Sequence, residues 1–152
     1  MHDVIPSTIS SDWLLLAVSF ACFAVAGTAT GAVDALAPTL GATALAITAV
    51  YCVAQYASRV SRRTLAELSF ALWVGFLAVA GLHLIGLETV GTAVPGNADM
   101  HALSLTAITW ATFLTACATT TFLGFREYGA TSSADAPEEQ VLEGETSEYS
   151  TR

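Results

Sequence analysis

The alternation of long apolar runs with short polar connections is the dominant pattern of this chain. The apolar runs cover residues 13–33, 39–57, 65–87 and 100–125. A helix needs about 20 predominantly apolar residues to cross the hydrocarbon core of a bilayer, and the four runs have about that length. Because short connections return the chain after each run, consecutive helices should be antiparallel. We therefore predict an all-α integral membrane protein, with four antiparallel transmembrane helices in a bundle over residues 13–126.

Polar segments flank this predicted bundle on both sides. Residues 1–12 form a polar N-terminal segment, and residues 127–152 are rich in Ser, Thr and Glu. Val141–Leu142 is the one pair of adjacent large apolar residues in the second segment. A segment of this composition buries too little apolar surface to offset its ordering entropy. We therefore expect residues 127–152 to form a disordered acidic tail.

The first apolar run could instead be the core of a cleavable signal peptide. Ala24-Val25-Ala26 fits the small-x-small pattern of a cleavage site after an apolar core at residues 13–23. The basic segment that normally precedes such a core is missing, because Asp3 and Asp12 stand there. The run also stays apolar beyond the supposed cut. We favour a first membrane helix and keep cleavage as the alternative.

The basic residues predict how the helices are oriented. The chain has no Lys, and three of its five Arg lie between the second and third runs, at Arg59, Arg62 and Arg63. Cytoplasmic connections near membrane helices carry the excess of Arg and Lys. This rule predicts that both termini are cytoplasmic, in a multi-pass protein of the cell membrane. Arg126, just after the fourth run, then falls on the same side and supports the orientation.

A capping motif predicts where the third helix begins. Thr64 and Glu67 match the T-x-x-E capping box, in which each side chain bonds the backbone N–H of the other residue. The helix should therefore begin at about Leu65. The motif gives Glu67 a structural role.

Small residues at four-residue spacing predict close contacts between helices. Gly27 and Gly31 form a GxxxG pattern in the first run, and Ala71 and Gly75 repeat the small-xxx-small pattern in the third. Such residues let helix backbones approach closely in a membrane. The contacts would lie within the bundle or between protomers.

Composition agrees with a membrane protein and adds an expectation about its source. The chain is 54% hydrophobic and only 12% charged, whereas soluble domains carry about 25% charged residues. The net charge is −8, and seven of the thirteen acids fall in residues 127–152. Acidic excess without Lys resembles the composition of proteins from salt-loving archaea, where high salt screens the charge repulsion. We expect the source to be a halophilic archaeon or its virus.

Candidate chemistry is sparse. His83 and His101 should lie near the outer face and are weak candidates for a metal, haem or proton site, because His is a common metal ligand and titrates near neutral pH. Their spacing matches no metal motif. The chain has no Walker loop, H-E-x-x-H, C-x-x-C-H or G-x-S-x-G sequence. We therefore predict no catalytic residues, no cofactor and no enzyme activity, and the lack of a basic surface argues against nucleic-acid binding.

Three functions remain as hypotheses. The first is a small polytopic membrane protein that acts by association, as an accessory subunit of a membrane complex or as a structural membrane protein. Its partners would be the lipid bilayer and other membrane-protein subunits or a second copy. The second is a small transporter or channel, suggested by Thr106, Thr109 and Thr112 near one face of the fourth helix. The third is a haem- or metal-carrying redox subunit that uses the two histidines.

Overall fold

The described residues form four long helices. A computed structural model describes residues 7–29, 36–86 and 97–134, with side chains for 11–29, 36–86 and 97–130. The helices are α1 (Ser7–Ala29), α2 (Leu36–Arg59), α3 (Arg62–Ile85) and α4 (Ala98–Ala134). Each is long and apolar enough to cross a membrane. The predicted all-α fold with four helices of membrane-spanning length is confirmed.

The helices extend beyond the predicted apolar runs. α1 begins at Ser7, inside the predicted polar N-terminal segment, and α2 continues to Arg59. α4 runs to Ala134, so residues 127–134 continue the helix instead of opening a disordered tail. One cause is that Glu127 pairs with Arg62 of α3 at 3.4 Å, which ties this part of α4 to the bundle. The rest of the predicted tail lies outside the described residues.

The predicted start of α3 is corrected by one turn. The N-cap is Ser61, whose Oγ accepts a hydrogen bond from the Thr64 backbone N–H at 3.1 Å. Thr64 is therefore the third residue of the helix, and Glu67 pairs with Arg63 at 2.8 Å instead of closing a capping box. Both Ser and Thr are good N-cap residues. The earlier start also lets Leu65 N–H bond the Ser61 carbonyl at 3.0 Å, which adds a turn of backbone hydrogen bonds.

Helices α1 and α4 lie at the centre of the packing. α1 packs along both α2 and α4, while α3 packs mainly against α4. Ser19 of α1 donates a hydrogen bond to the Ala49 carbonyl of α2 at 3.0 Å, and Asp12 pairs with Arg59 at 3.4 Å. A higher residue number on α1 is thus paired with a lower residue number on α2. These two helices therefore run in opposite directions.

Two apolar clusters form the core. One contains Leu16, Tyr56, Ala57 and Leu65, and brings together α1, α2 and the start of α3. The other contains Phe23, Ala49, Val53 and Ala111, from α1, α2 and α4. α3 is absent from this second cluster, and its buried residues are Leu65 and Ser69, both near its start. Beyond its first two turns, α3 therefore lies at the edge of the bundle.

Candidate functional site

All four arginines of the described residues gather at one end of the bundle, which we call the arginine end. Arg126 of α4 donates from Nη1 to the carbonyl oxygens of Ala57 and Val60, at 2.8 Å each. The last carbonyls of a helix have no partner within the helix. Arg126 therefore caps the C-terminal end of α2 from a different helix.

The other three arginines make ion pairs near the surface. Arg59 pairs with Asp12 at 3.4 Å, Arg62 with Glu127 at 3.4 Å and Arg63 with Glu67 at 2.8 Å. Arg62 also donates from Nη2 to the Arg126 carbonyl at 3.2 Å. Within the described part of the chain, Arg126 is thus the one arginine without a carboxylate within 4.0 Å.

A cavity of about 220 Å³ opens between α2 and α4 at the arginine end. Its lining residues are Ala54, Ala57, Ser58, Phe122, Phe125 and Arg126. Ser58 and Phe125 are exposed, so the cavity opens on the outside of the bundle. Its walls are mainly apolar, and Arg126 is the charged residue among them.

The opposite end of the bundle holds the two weak metal candidates, but the structure does not join them. His83 Nε2 lies 2.9 Å from Thr109 Oγ1. Thr109 Oγ1 also lies 2.7 Å from the Leu105 carbonyl oxygen, to which it can donate, so this hydroxyl links His83 of α3 to the backbone of α4. His101 lies eight residues before Thr109 on α4, about 12 Å along the helix axis.

His101 has a different environment from His83. Its Nδ1 is buried and has no hydrogen-bond partner among the described residues. Over residues 7–29, 36–86 and 97–134, no group of three or more His, Cys, Asp or Glu is close enough to hold a metal ion.

The threonines of α4 use their hydroxyls within their own helix. Thr106, Thr109 and Thr112 donate to carbonyls four residues earlier, and buried Thr115 and Thr119 do the same. Such bonds satisfy the hydroxyl and leave only acceptor capacity. The polar face that suggested a permeation path therefore lacks free hydroxyl donors at these positions.

An aromatic cluster joins α3 to α4 and was not predicted from the sequence. Phe113 lies against Trp73, Phe76 and Trp110, with ring centroids 5.1 to 6.3 Å apart. Trp73 Nε1 also donates to Thr120 Oγ1 at 3.1 Å. The spacing of Trp73 and Phe76 on α3, and of Trp110 and Phe113 on α4, puts each pair on one face. That spacing is the signal that sequence reasoning missed.

The predicted helix-packing residues have different environments. A Cβ added to Gly27 would overlap Cβ of Trp110 and lie 2.6 Å from its Cγ, so Gly27 permits a close approach of α1 to α4. Ala71 is exposed, and no described atom outside the helix lies within 4 Å of a Cβ added to Gly75. These two residues face away from the bundle. Gly31 lies outside the described residues.

Comparisons of the chain with known protein families, with curated protein sequences and with solved structures found no match. The arrangement of its own side chains is therefore the basis for any functional conclusion.

Proposed function

We propose that this chain is a non-enzymatic multi-pass membrane protein that acts by association, as an accessory subunit of a membrane complex or as a structural membrane protein. Its composition supports a halophilic archaeon or its virus as the source. The observation that carries the proposal is that the outer face of α3 is apolar and exposed. The transporter or channel and the redox subunit stay predictions from the sequence.

The outer face of α3 combines large exposed side chains with small residues. Phe70 is 72% exposed and Leu77 65% exposed, and Val74 lies between them on the same face. Ala71 and Gly75 lie beside them and have open space above their backbone. Lipid chains can cover such a face, but the small residues also let a second helix approach closely and gain van der Waals contact. This face suits a helix of another subunit or of a second copy.

A bulky residue at Gly75 should weaken association without disturbing the fold. Because a Cβ at this position meets nothing within the described bundle, Gly75→Leu should keep the helical content and melting temperature of the wild type. Overpacking of a close helix contact costs about 1–3 kcal/mol, so self-association or capture of a partner should fall about tenfold or more. Energy transfer between labelled copies in liposomes measures self-association, and co-purification from native membranes measures capture of other subunits.

Gly41→Leu is the matched control, because Gly41 is exposed on α2 and a Cβ there also meets no described atom. It should leave association unchanged. A wild-type protein that stays monomeric in bilayers and captures no other membrane protein contradicts the proposal.

We also propose that the arginine end faces the cytoplasm, with both termini on that side of the cell membrane. Support comes from Arg126, which lies at the same end of the bundle as Arg59, Arg62 and Arg63 because it bonds the end of α2. One membrane surface thus receives all of these positive charges. Cytoplasmic surfaces are the ones enriched in Arg and Lys.

Replacement of Arg59, Arg62 and Arg63 by Gln should produce a mixed or inverted orientation. The reason is that Arg126 alone would then bias the insertion of the bundle. A reporter fused to the C-terminus, active on only one side of the membrane, measures the outcome. Arg152→Gln is the control, because it removes one positive charge far from any apolar run. An unchanged orientation of the triple variant would mean that another feature directs insertion.

A further inference from the structure

The cavity between α2 and α4 at the arginine end has mainly apolar walls and one positively charged side chain. Ala54, Phe122 and Phe125 contribute to the walls, and Arg126 belongs to the same lining. Phe125 is 66% exposed, so the cavity opens outward where the lipid of a membrane would lie. An occupant of this cavity needs an apolar part and an anionic part.

The guanidinium of Arg126 is held in place with one edge free. Nη1 carries two hydrogens and donates to two carbonyls, those of Ala57 and Val60. Nε and Nη2 make no hydrogen bond with any group in the described ranges. Together they form the edge of a guanidinium that binds a phosphate or carboxylate through two parallel hydrogen bonds.

Arg126 also has no carboxylate partner within the described residues. Arg59, Arg62 and Arg63 each have a carboxylate partner, whereas Arg126 bonds only neutral carbonyl groups within the described structure. Its positive charge is therefore the one at this end most available to an external anion. Because Nη1 already fixes the guanidinium, binding of an anion at the free edge costs little further side-chain entropy of Arg126.

We propose that this cavity binds one acidic phospholipid. The phosphate would accept hydrogen bonds from Nε and Nη2 of Arg126, and the first part of an acyl chain would lie along Ala54, Phe122 and Phe125. Basic pockets between membrane helices on the cytoplasmic side are known to take acidic headgroups. The site requires only that the four helices cross a membrane, and it does not depend on association through α3.

Size and chemistry favour a lipid over a dissolved anion. A phosphate ion would use the same two donors but would leave the apolar walls uncovered. The volume of about 220 Å³ lies below the 300–1,000 Å³ typical of pockets that enclose compact organic ligands. It suffices for part of one acyl chain, because the remainder extends into the bilayer.

Native mass spectrometry of the full chain in detergent micelles tests the proposal. The probes are phosphatidylglycerol and phosphatidylcholine with identical acyl chains. Phosphatidylglycerol should bind about tenfold more tightly, because its headgroup keeps a net negative charge, whereas the choline ammonium of phosphatidylcholine offsets the charge of the same phosphate. Inorganic phosphate at the same concentrations should not displace it.

Ala54→Leu is the decisive variant, because the larger side chain occupies part of the cavity and leaves Arg126 unchanged. It should lower phosphatidylglycerol affinity about tenfold at an unchanged melting temperature, whereas Gly41→Leu on the same helix should have no effect. Arg126→Gln should remove the preference for phosphatidylglycerol, and Arg63→Gln should keep it. If Arg126→Gln does not fold, Ala54→Leu decides. Equal affinity for the two lipids, full binding by a folded Ala54→Leu protein, or displacement by inorganic phosphate overturns the proposal.

Discussion

Arg126→Met is expected to lower the free energy of unfolding by about 2–4 kcal/mol. Nη1 of Arg126 donates to the carbonyls of Ala57 and Val60 at 2.8 Å. A hydrogen bond to a charged group contributes about 1.5–3 kcal/mol, and partial hydration of the freed carbonyls offsets some of the loss of two such bonds. Met keeps most of the length and apolar volume of the side chain, so the change isolates the guanidinium.

Besides lowering the stability of the whole bundle, Arg126→Met should loosen the end of α2. Hydrogen exchange at the last turn of α2 should speed up in Arg126→Met, because Arg126 is what ties the Ala57 and Val60 carbonyls to α4. Unfolding in mixed micelles by increasing denaturing detergent measures the global change.

Arg63→Met is the control for loss of one positive charge. The Arg63 side chain is 89% exposed and pairs with Glu67 one turn away on the same helix. Exposed pairs of this kind contribute about 0.3–0.5 kcal/mol. Equal destabilisation by the two variants would show that charge, and not the cap on α2, accounts for the effect.

Gly27→Ala is expected to cost about 1–3 kcal/mol, although it adds a single methyl group. The added Cβ would overlap Cβ of Trp110 and lie 2.6 Å from its Cγ. Cβ of Trp110 is fixed to the α4 backbone and cannot move aside by a change of rotamer. α1 and α4 must therefore separate, and overpacking of this kind costs about the stated amount. The same denaturing-detergent titration measures it.

Double variants identify the atom responsible. Trp110→Ala keeps Cβ, so Gly27→Ala should still destabilise a Trp110→Ala protein. Trp110→Gly removes Cβ, so the further cost of Gly27→Ala should fall towards zero in that background, as a coupling between contacting residues requires. Gly41→Ala is the matched control, because no described atom outside its helix lies within 4 Å of the added Cβ. Equal costs for Gly27→Ala and Gly41→Ala would refute the close approach.

The number and approximate position of the helices followed from the sequence, because each apolar run signals its own helix. The start of α3 was less certain, since both Ser61 and Thr64 can cap a helix and the pattern alone favoured Thr64 with Glu67. The structure places the cap at Ser61. Glu67 is instead attracted to Arg63, a competing partner four residues earlier that the capping motif does not take into account.

The candidate sites were less predictable than the helices. His83 and His101 were expected at the same end, but which side chain faces which depends on how α3 and α4 are rotated and shifted relative to each other. The aromatic contacts around Phe113 accompany a register in which His83 meets Thr109. Likewise, Arg126 bonds carbonyls 69 and 66 residues away in the chain. No local pattern indicates such a pairing.

Sequence by itself determined that this chain forms four helices of membrane-spanning length, and it identified the arginine-rich connection between the second and third. Hydropathy and helix length are local properties, and each segment carries them independently of its neighbours. Only the tertiary structure decided that Arg126 caps α2, that Gly27 packs against Trp110 and that Ala71 and Gly75 face outward. These features depend on the rotation and register of packed helices, which are set by shape complementarity between segments far apart in the chain.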